Sequence, residues 1–405
     1  MLRLLTRSLR WPRAAAWLLA ATVAATASAQ TSPAPLKIGL IGPLSGPSSD
    51  FGTPMLHGVQ IAVDEINAVG GYLGRPLTLV IKDDQGNPDV GLKASQELMQ
   101  EGVIATIGFC NTGVAMKALD VFQNAKSPLI VPCATGTPVT AKFPAPDSYI
   151  FRTSARDAIQ APFVVDDLVK RGWTRVAVFA DNTGYGAAGL KDVEQALADR
   201  NLKPVYVARF DLGVKDLREQ LTAAREAGAN VVFSYTVGPE NAAIANGRRD
   251  LKWDVPQVGA WPLSFPFFIR GAGAAAEGAL MAQTFIAEPS NERRAAFLAA
   301  YARKYNQRIA VPMAAAQAYD TVYLLTYALF AIRDGKFSGP AVKAALENIP
   351  RTYYGVVATY EKPFTLNDKD AVTSNQLVMG RVRNGAVTFA YPEDARRNLF
   401  VQRKQ

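Results

Sequence analysis

The chain has 405 residues, with 44 Lys and Arg against 35 Asp and Glu, one His and two Cys. At about 100–200 residues per domain, that length predicts two domains. One His and two Cys exclude a dense His/Cys metal centre, and the basic residues are scattered rather than drawn into the stripe that nucleic-acid binding requires.

The first 29 residues read as a cleaved secretory signal. Arg3, Arg7, Arg10 and Arg13 give a basic start without an acidic residue, Ala14 to Ala25 is mostly apolar, and Ala27-Ser28-Ala29 places small residues before a cleavage point at Gln30. The apolar run is shorter than the ~20 residues of a bilayer span. An uncleaved anchor or an amphipathic presequence is the competing reading. No Cys stands at the cleavage point, so no lipid anchor is expected. Without the four arginines, 40 basic side chains face 35 acidic ones, a mild excess. Met313 to Ile332 is the most apolar later stretch, but Gln317, Tyr319, Asp320, Thr321 and Thr326 interrupt it, as in a buried helix.

Strands and helices then alternate. Leu36–Ile41 is a short apolar run ending in Gly42-Pro43. Met55, Leu56, Val59, Ala62, Val63 and Ile66 follow at helical spacing, and Gly70-Gly71 ends the helix. Leu77–Ile81 is the next strand, and Asn87-Pro88 is an N-cap with proline at the first helical position. Val103–Ile107 and Leu129–Val131 complete this series. A second one begins after Arg152, with strands at 175–180, 205–210, 230–235 and 257–260 and helices at 158–170, 187–200, 215–227 and 240–251. From Asn291 come two or three more helices, then short strands near 356–360 and 376–382. Repeated β-α-β units require parallel sheets covered on both faces, and two series make two doubly wound α/β lobes.

Ligands of open α/β sheets sit beyond the C-terminal ends of the strands. Here those ends carry Gly42–Gly46, Phe109–Gly113, Pro132–Gly136, Asp181–Gly186 and Trp261-Pro262, rich in Gly, Ser, Thr, Asn and aromatics and nearly uncharged. Asn111 and Thr112 stand between a strand and a helix. There they serve either as a simple N-cap or as part of a carboxylate site at a helix N-terminus, where free N–H groups and partial positive charge meet. Thr135 follows the adjacent strand and extends the same cradle. Phe51, Tyr185 and Trp261 either wall a ligand or fill core. Asp83-Asp84 leads into the capped turn at Gly86-Asn87-Pro88, which favours a structural role over metal or acid–base work. His57 has no Ser or Cys nucleophile placed beside it. Cys110 and Cys133 end neighbouring strands. They form a disulfide if their side chains face each other, and otherwise remain two buried thiols. The Gly42–Gly46 spacing lacks the third glycine and downstream acid of a dinucleotide fingerprint. With no nucleophile, base and orienting group together, the chain is expected not to be an enzyme and to need no cofactor.

In order, Ile38 to Gly46, Gly58 to Gly71, Gly74 to Leu77, Asp83-Asp84, Ile107-Gly108, Pro132 to Thr135, Phe151 to Thr153, Asp181 to Gly186 and Ala318 to Asp320 form a pattern that resembles the type I periplasmic binding proteins of the branched-chain amino-acid (Leu/Ile/Val) kind, which feed ABC transporters. Each motif is weak alone, and their order and spacing across nearly the whole chain are specific. The resemblance implies two Rossmann-like lobes joined by a three-segment hinge, with 36–156 and 285–374 in the N-terminal lobe and 157–284 and 375–405 in the C-terminal lobe. It implies that Asn111 takes the place of a first carboxylate contact that is usually serine. Ala134 and Thr135 supply a second, through backbone N–H and hydroxyl. Phe51 is the first-lobe aromatic lid, Tyr185 a second-lobe aromatic, and Asp157 approaches a ligand amine through its main chain.

One departure bears on the ligand. Where members that bind branched-chain amino acids carry a glutamate that pairs with the ligand ammonium, this chain has Ala260-Trp261-Pro262. A buried ammonium without a counter-charge is strongly penalised, so the expected ligand is a small aromatic or aliphatic carboxylate, an amino acid remaining the alternative because tryptophan can hold a cation on its face. The expected role is the periplasmic, monomeric solute-binding subunit of an ABC importer, passing its ligand to the permease. A sensory protein on the same fold, signalling to a receptor or regulator, is the competing class, and fold does not separate the two.

Overall fold

The computed structural model describes residues 34–395 and the backbone of 401–403; the expected signal segment lies outside them. The first series is β1 (Leu36–Gly42), α1 (Ser49–Ala68), β2 (Leu77–Asp83), α2 (Pro88–Gln100), β3 (Ala105–Gly108), α3 (Thr112–Asn124), β4 (Leu129–Val131), the short α4 (Pro138–Ala141) and β5 (Ile150–Arg152). Its five strands form one parallel sheet in the order β2-β1-β3-β4-β5. The second series is α5 (Asp157–Lys170), β6 (Val176–Asp181), α6 (Gly184–Ala198), β7 (Tyr206–Phe210), α7 (Arg218–Glu226), β8 (Val231–Tyr235), α8 (Glu240–Asp250), β9 (Gln257–Gly259), α9 (Pro266–Ala272) and β10 (Leu280–Gln283). Then follow α10 (Glu292–Tyr305), α11 (Pro312–Leu329), α12 (Gly339–Glu347), β11 (Tyr353–Tyr354), β12 (Thr359–Glu361), β13 (Val378–Arg383), β14 (Ala386–Phe389), α13 (Pro392–Ala395) and β15 (Val401–Arg403).

The second sheet is ordered β14-β13-β10-β9-β8-β6-β7, parallel from β7 to β10 and antiparallel at β13 and β14. Counted from its own first strand, β7-β6-β8-β9-β10 repeats the 2-1-3-4-5 order of the first sheet. Each lobe therefore has its topological switch point between its first and third strands, where a crevice opens beyond the strand ends.

Local chemistry explains the elements. The central strands β3, β4, β6, β8 and β9 are buried at every residue, as strands covered on both faces must be. Asn87 Oδ1 accepts from the N–H of Asp89 and Val90 at 2.9 and 3.2 Å, with Pro88 at the first helical position. Helix α11 is buried nearly all round and packs on α1, where a Cβ at Gly58 would lie 2.1 Å from the Ala315 carbonyl oxygen. No helix among the described residues is long and apolar enough to cross a membrane. Strands β5 and β10 were not expected from the sequence. They are three and four residues long and owe their pairing to a neighbour, β4 for one and β9 and β13 for the other.

The chain leaves the first sheet after Arg152, returns to α1 through α10 and α11 after Gln283, and rejoins the second sheet at Val378. Two of these passages are tied to α11, Thr153 Oγ1 to Thr321 Oγ1 at 2.6 Å and Gln317 Nε2 to Thr284 Oγ1 at 2.6 Å. Fully buried Arg152 forms an ion pair with Asp370 at 2.6 Å, and Arg156 reaches the same carboxylate at 3.4 Å. The last strand departs from the expected division of the chain: Val401–Arg403 lies parallel to β12 and not on the second sheet. It follows the backbone pairing that β12 leaves open on the side away from β11.

Candidate ligand-binding cleft

The C-terminal strand ends of the two sheets face each other. On the first-lobe side, Cys110 and Cys133 lie just beyond β3 and β4, and the structure joins them in a disulfide across a Cα separation of 4.5 Å. Sequence alone left this open, because it depends on which way two side chains face. Thr112 Oγ1 accepts from the Gly136 N–H at 3.1 Å. The Ala134 N–H, expected to be free for a ligand, donates to the Phe109 carbonyl at 2.9 Å, which ties the loop after β4 to the loop after β3. Asn111 stands at the N-cap position of α3 but its side chain does not cap; Nδ2 donates to Ser48 Oγ at 3.1 Å and draws the amide toward the loop after β1. Thr135 is buried, and its Oγ1 has no hydrogen-bond partner. Phe51, from the first turn of α1, lies stacked on Phe265 at 5.1 Å and edge-on to Trp261 at 6.5 Å.

On the second-lobe side, Thr183 Oγ1 caps α6 by accepting from the N–H of Tyr185 and Gly186. This holds Tyr185 at the cleft beside Tyr235, the last residue of β8, with ring centroids 4.9 Å apart. Trp261 follows β9, is 3% exposed, and donates its backbone N–H to Gln160 Oε1 at 3.3 Å. The hydroxyls of Tyr185 and Tyr235 and Nε1 of Trp261 are buried without a partner in the protein.

Asp157 stands where the two sides meet. Its N–H donates to the Thr135 carbonyl at 2.9 Å and Oδ1 accepts from Gln160 Nε2 at 3.2 Å, while Oδ2 is buried without a partner. Burial pushes its pKa up to about 7; Tyr235 and Thr135, close enough to be felt, act in the opposite direction without forming a well-aligned hydrogen bond. The same burial, with the nearby carboxylate of Asp157, raises the hydroxyls of Tyr185 and Tyr235 well above the usual tyrosine range. The main chain of Asp157 was expected at the site, and the structure brings its carboxyl there too.

The lobes are closed on this space. Gly113 and Gly184, in the first turns of α3 and α6, meet so closely that a Cβ on Gly184 would lie 3.3 Å from the Gly113 Cα. Thr137 Oγ1 donates to Asp192 Oδ2 across the gap at 2.7 Å, and Arg270 faces Asp50 at 3.9 Å. Of the residues singled out in the sequence, Phe51, Thr112, Thr135, Asp157, Tyr185 and Trp261 are thus gathered, with Ala134 behind them and Asn111 turned aside. Tyr235, Gln160 and Phe265 were missed. Tyr235 closes an apolar strand and reads as core, and the other two carry no local signal.

The remaining candidates are structural. Asp83 Oδ1 accepts from the N–H of Leu44 and Gln85, both at 2.9 Å, so it ties two loops together. Asp84 accepts from Gly86 N–H at 2.8 Å. His57 bonds Tyr301 OH at 2.8 Å and stacks on Tyr305 at 3.6 Å, and burial lowers its pKa to about 4. No cluster of His, Cys, Asp and Glu able to hold a metal ion occurs among the described residues.

Comparison with known proteins gives a family and several neighbours. The family model described as periplasmic binding protein matches residues 35–386. The chain is 31% identical over 281 residues to the Leu/Ile/Val-binding protein BraC3 of Rhizobium johnstonii, covering 69% of this chain and 76% of that one. Among solved structures it is similar to the branched-chain amino-acid binding protein LivJ of Streptococcus pneumoniae in complex with isoleucine, with TM-score 0.74 and 25% identity over 87% of this chain and 97% of that one. A solute-binding protein of R. palustris in complex with benzoate shares the fold at TM-score 0.74 and 18% identity, covering 88% and 95% of the two chains.

Proposed function

The chain belongs to the periplasmic binding protein family, in its type I, Leu/Ile/Val-binding branch, and from that premise we propose that it captures a small organic carboxylate between its lobes and hands it to the permease of an ABC importer. In this reading it works in the periplasm after cleavage before Gln30. Residues 36–156 and 285–374 form one lobe, 157–284 with 375–395 the other, and the hinge lies near Arg156, Thr284 and residue 375. Isoleucine and benzoate each occupy a neighbour of this fold, so the choice of ligand falls to the residues.

The observation that carries the proposal is the set of buried polar atoms left without a partner around the cleft: Thr135 Oγ1, the hydroxyls of Tyr185 and Tyr235, Trp261 Nε1 and Asp157 Oδ2. Buried polar groups are almost always hydrogen-bonded, and four of these five can donate. An acceptor-rich anion suits them, and Phe51, Phe265 and Trp261 suit an apolar or aromatic body. A charge-assisted hydrogen bond contributes about 1.5–3 kcal/mol, so a few of them with apolar burial reach the roughly −8 kcal/mol of micromolar binding.

A second reading rests on Asp157, whose carboxylate could receive an α-ammonium. The direction of the pH dependence separates the two. An anion beside Asp157 favours its protonated form and raises its pKa above the free value of about 7. Binding is then strongest below that value and weakens as pH rises, by at most about tenfold per unit. An ammonium lowers that pKa, and binding strengthens as pH rises. Calorimetry at several pH values with phenylpyruvate against phenylalanine, and 4-methyl-2-oxopentanoate against leucine, tests this. The expected result is tighter binding of both keto acids, weakening as pH rises. Tighter amino acids, strengthening with pH, would establish the second reading.

A further inference from the structure

A cavity of about 710 Å³ lies at the opposite end of the second sheet, under the N-terminal ends of β9 and β10, where Pro256 and Ala279 enter the strands. That volume falls within the range of small-molecule sites. Trp173 and Trp253 line it, together with Arg248, Arg249, Lys252 and Gln257. Arg249 and Lys252 stand at the C-terminal end of α8 on the surface, where cations complement the helix dipole.

Arg248 and Gln257 call for a different explanation. Arg248 Nε is shut off from solvent and has no hydrogen-bond partner. Burial lowers its pKa to about 10, with Asp254 acting the other way. A buried guanidinium nitrogen without an acceptor is costly. Gln257, on β9, is 1% exposed. Its Nε2 reaches the Asn241 carbonyl at 3.1 Å. A carbonyl cannot donate, so the amide orientation is fixed and Oε1 is the free end; it has no partner. Arg248 and Gln257 thus line one cavity with two indole walls, and each carries a buried polar atom without a partner, a donor in Nε and an acceptor in Oε1.

We propose that this cavity is a second binding site, separate from the cleft, for a small organic acid whose carboxylate pairs with Arg248 and whose apolar body packs on the tryptophans. Guanidinium and carboxylate match in planar, two-pronged geometry, and an indole wall favours an aromatic body over a bare inorganic anion.

The tryptophans also supply the test. Of five in the sequence, Trp173, Trp253 and Trp261 lie among the described residues, two in this cavity and one in the cleft. With 5-fluorotryptophan incorporated into the full chain, fluorine NMR reads both sites in one titration with benzoate as the probe. The expected result is saturable movement of the Trp173 and Trp253 resonances. Arg248→Met should weaken that response about tenfold or more without changing that of Trp261. Arg248→Lys, which keeps the charge and loses the fork, should weaken it less and guards against misfolding of the first variant. Resonances of Trp173 and Trp253 that stay fixed at millimolar benzoate would overturn the proposal. So would equal movement by inorganic phosphate, or an undiminished response in both variants.

Discussion

The two walls of the cleft are built on different lines. On the first lobe, several polar groups are already engaged within the protein: Thr112 with Gly136, Ala134 with Phe109, Asn111 Nδ2 with Ser48, and the loops after β3 and β4 locked by Cys110–Cys133, while Asn111 Oδ1 and Thr135 Oγ1 stay unbonded. On the second lobe, the hydroxyls of Tyr185 and Tyr235 and the indole of Trp261 are packed but unbonded. The first wall is a fixed seat, and in the proposed reading the second holds the groups that would tell ligands apart. The difference teaches that bonded and unbonded polar groups are divided between lobes, with Thr135 and Asp157 as the points where they touch.

Breaking the seat should have the largest effect. The disulfide spans 23 residues, and closing a loop of that size stabilises by about 3 kcal/mol in the chain-entropy picture. Cys110→Ala with Cys133→Ala should lower the urea midpoint accordingly; an unchanged midpoint would mean that the seat is held by its hydrogen bonds alone.

Asp157→Asn probes the junction. With a folded pKa of about 7 against roughly 4 in the unfolded chain, the folded state retains a proton that the unfolded state releases. Stability should therefore fall as pH rises from about 4 to 7 and level off above. The asparagine variant should flatten part of that fall and gain on the order of 2 kcal/mol at pH 7.5, with no gain at pH 4. Asp84 and Asp320, raised by burial to about 7 and about 6, keep the remainder. Thermal unfolding across pH measures it, and an equal gain at both ends would place the effect outside titration.

Thr135→Val should have the smallest effect on the fold and a clear one on binding. Its Oγ1 bonds nothing in the protein, so the melting temperature should hold or rise. Carboxylate affinity should fall about tenfold, or about 1.4 kcal/mol. Calorimetry showing unaltered affinity would move the carboxylate away from the first wall.

Much of this was legible in the sequence because the second sheet repeats the strand order of the first, and apolar runs with capped helices announce each unit. Asn87-Pro88 capped as expected, and β4 has the bounds read from its apolar run. Six of the eight residues proposed for the cleft lie together, and four of them, Thr112, Thr135, Tyr185 and Trp261, come shortly after strand ends. The exceptions are physical. Asn111 found a better partner in Ser48 than its own helix. The Ala134 N–H was taken by a neighbouring strand end. Tyr235 is part of the strand Val231–Tyr235, buried throughout, and its hydroxyl becomes meaningful only when Asp157 and Tyr185 arrive from elsewhere in the chain. The cysteine pairing depended on side-chain facing, which strand adjacency alone does not determine.

The meeting of Gly113 and Gly184 separates two quantities that are usually confounded. A methyl group at Gly184 acts as a doorstop, since it would stand 3.3 Å from the Gly113 Cα. Neither glycine offers a side chain to a ligand, so a doorstop changes how often the jaws shut without changing what they hold. Observed affinity is the intrinsic affinity scaled by the fraction of molecules able to close, and that fraction is common to every ligand. Alanine at Gly184 would then weaken all ligands by one shared factor and leave their ranking intact, whereas Tyr185, the next residue in the chain, would reorder them. In the proposed reading, strength of capture and choice of cargo would then be set by adjacent residues and could drift independently.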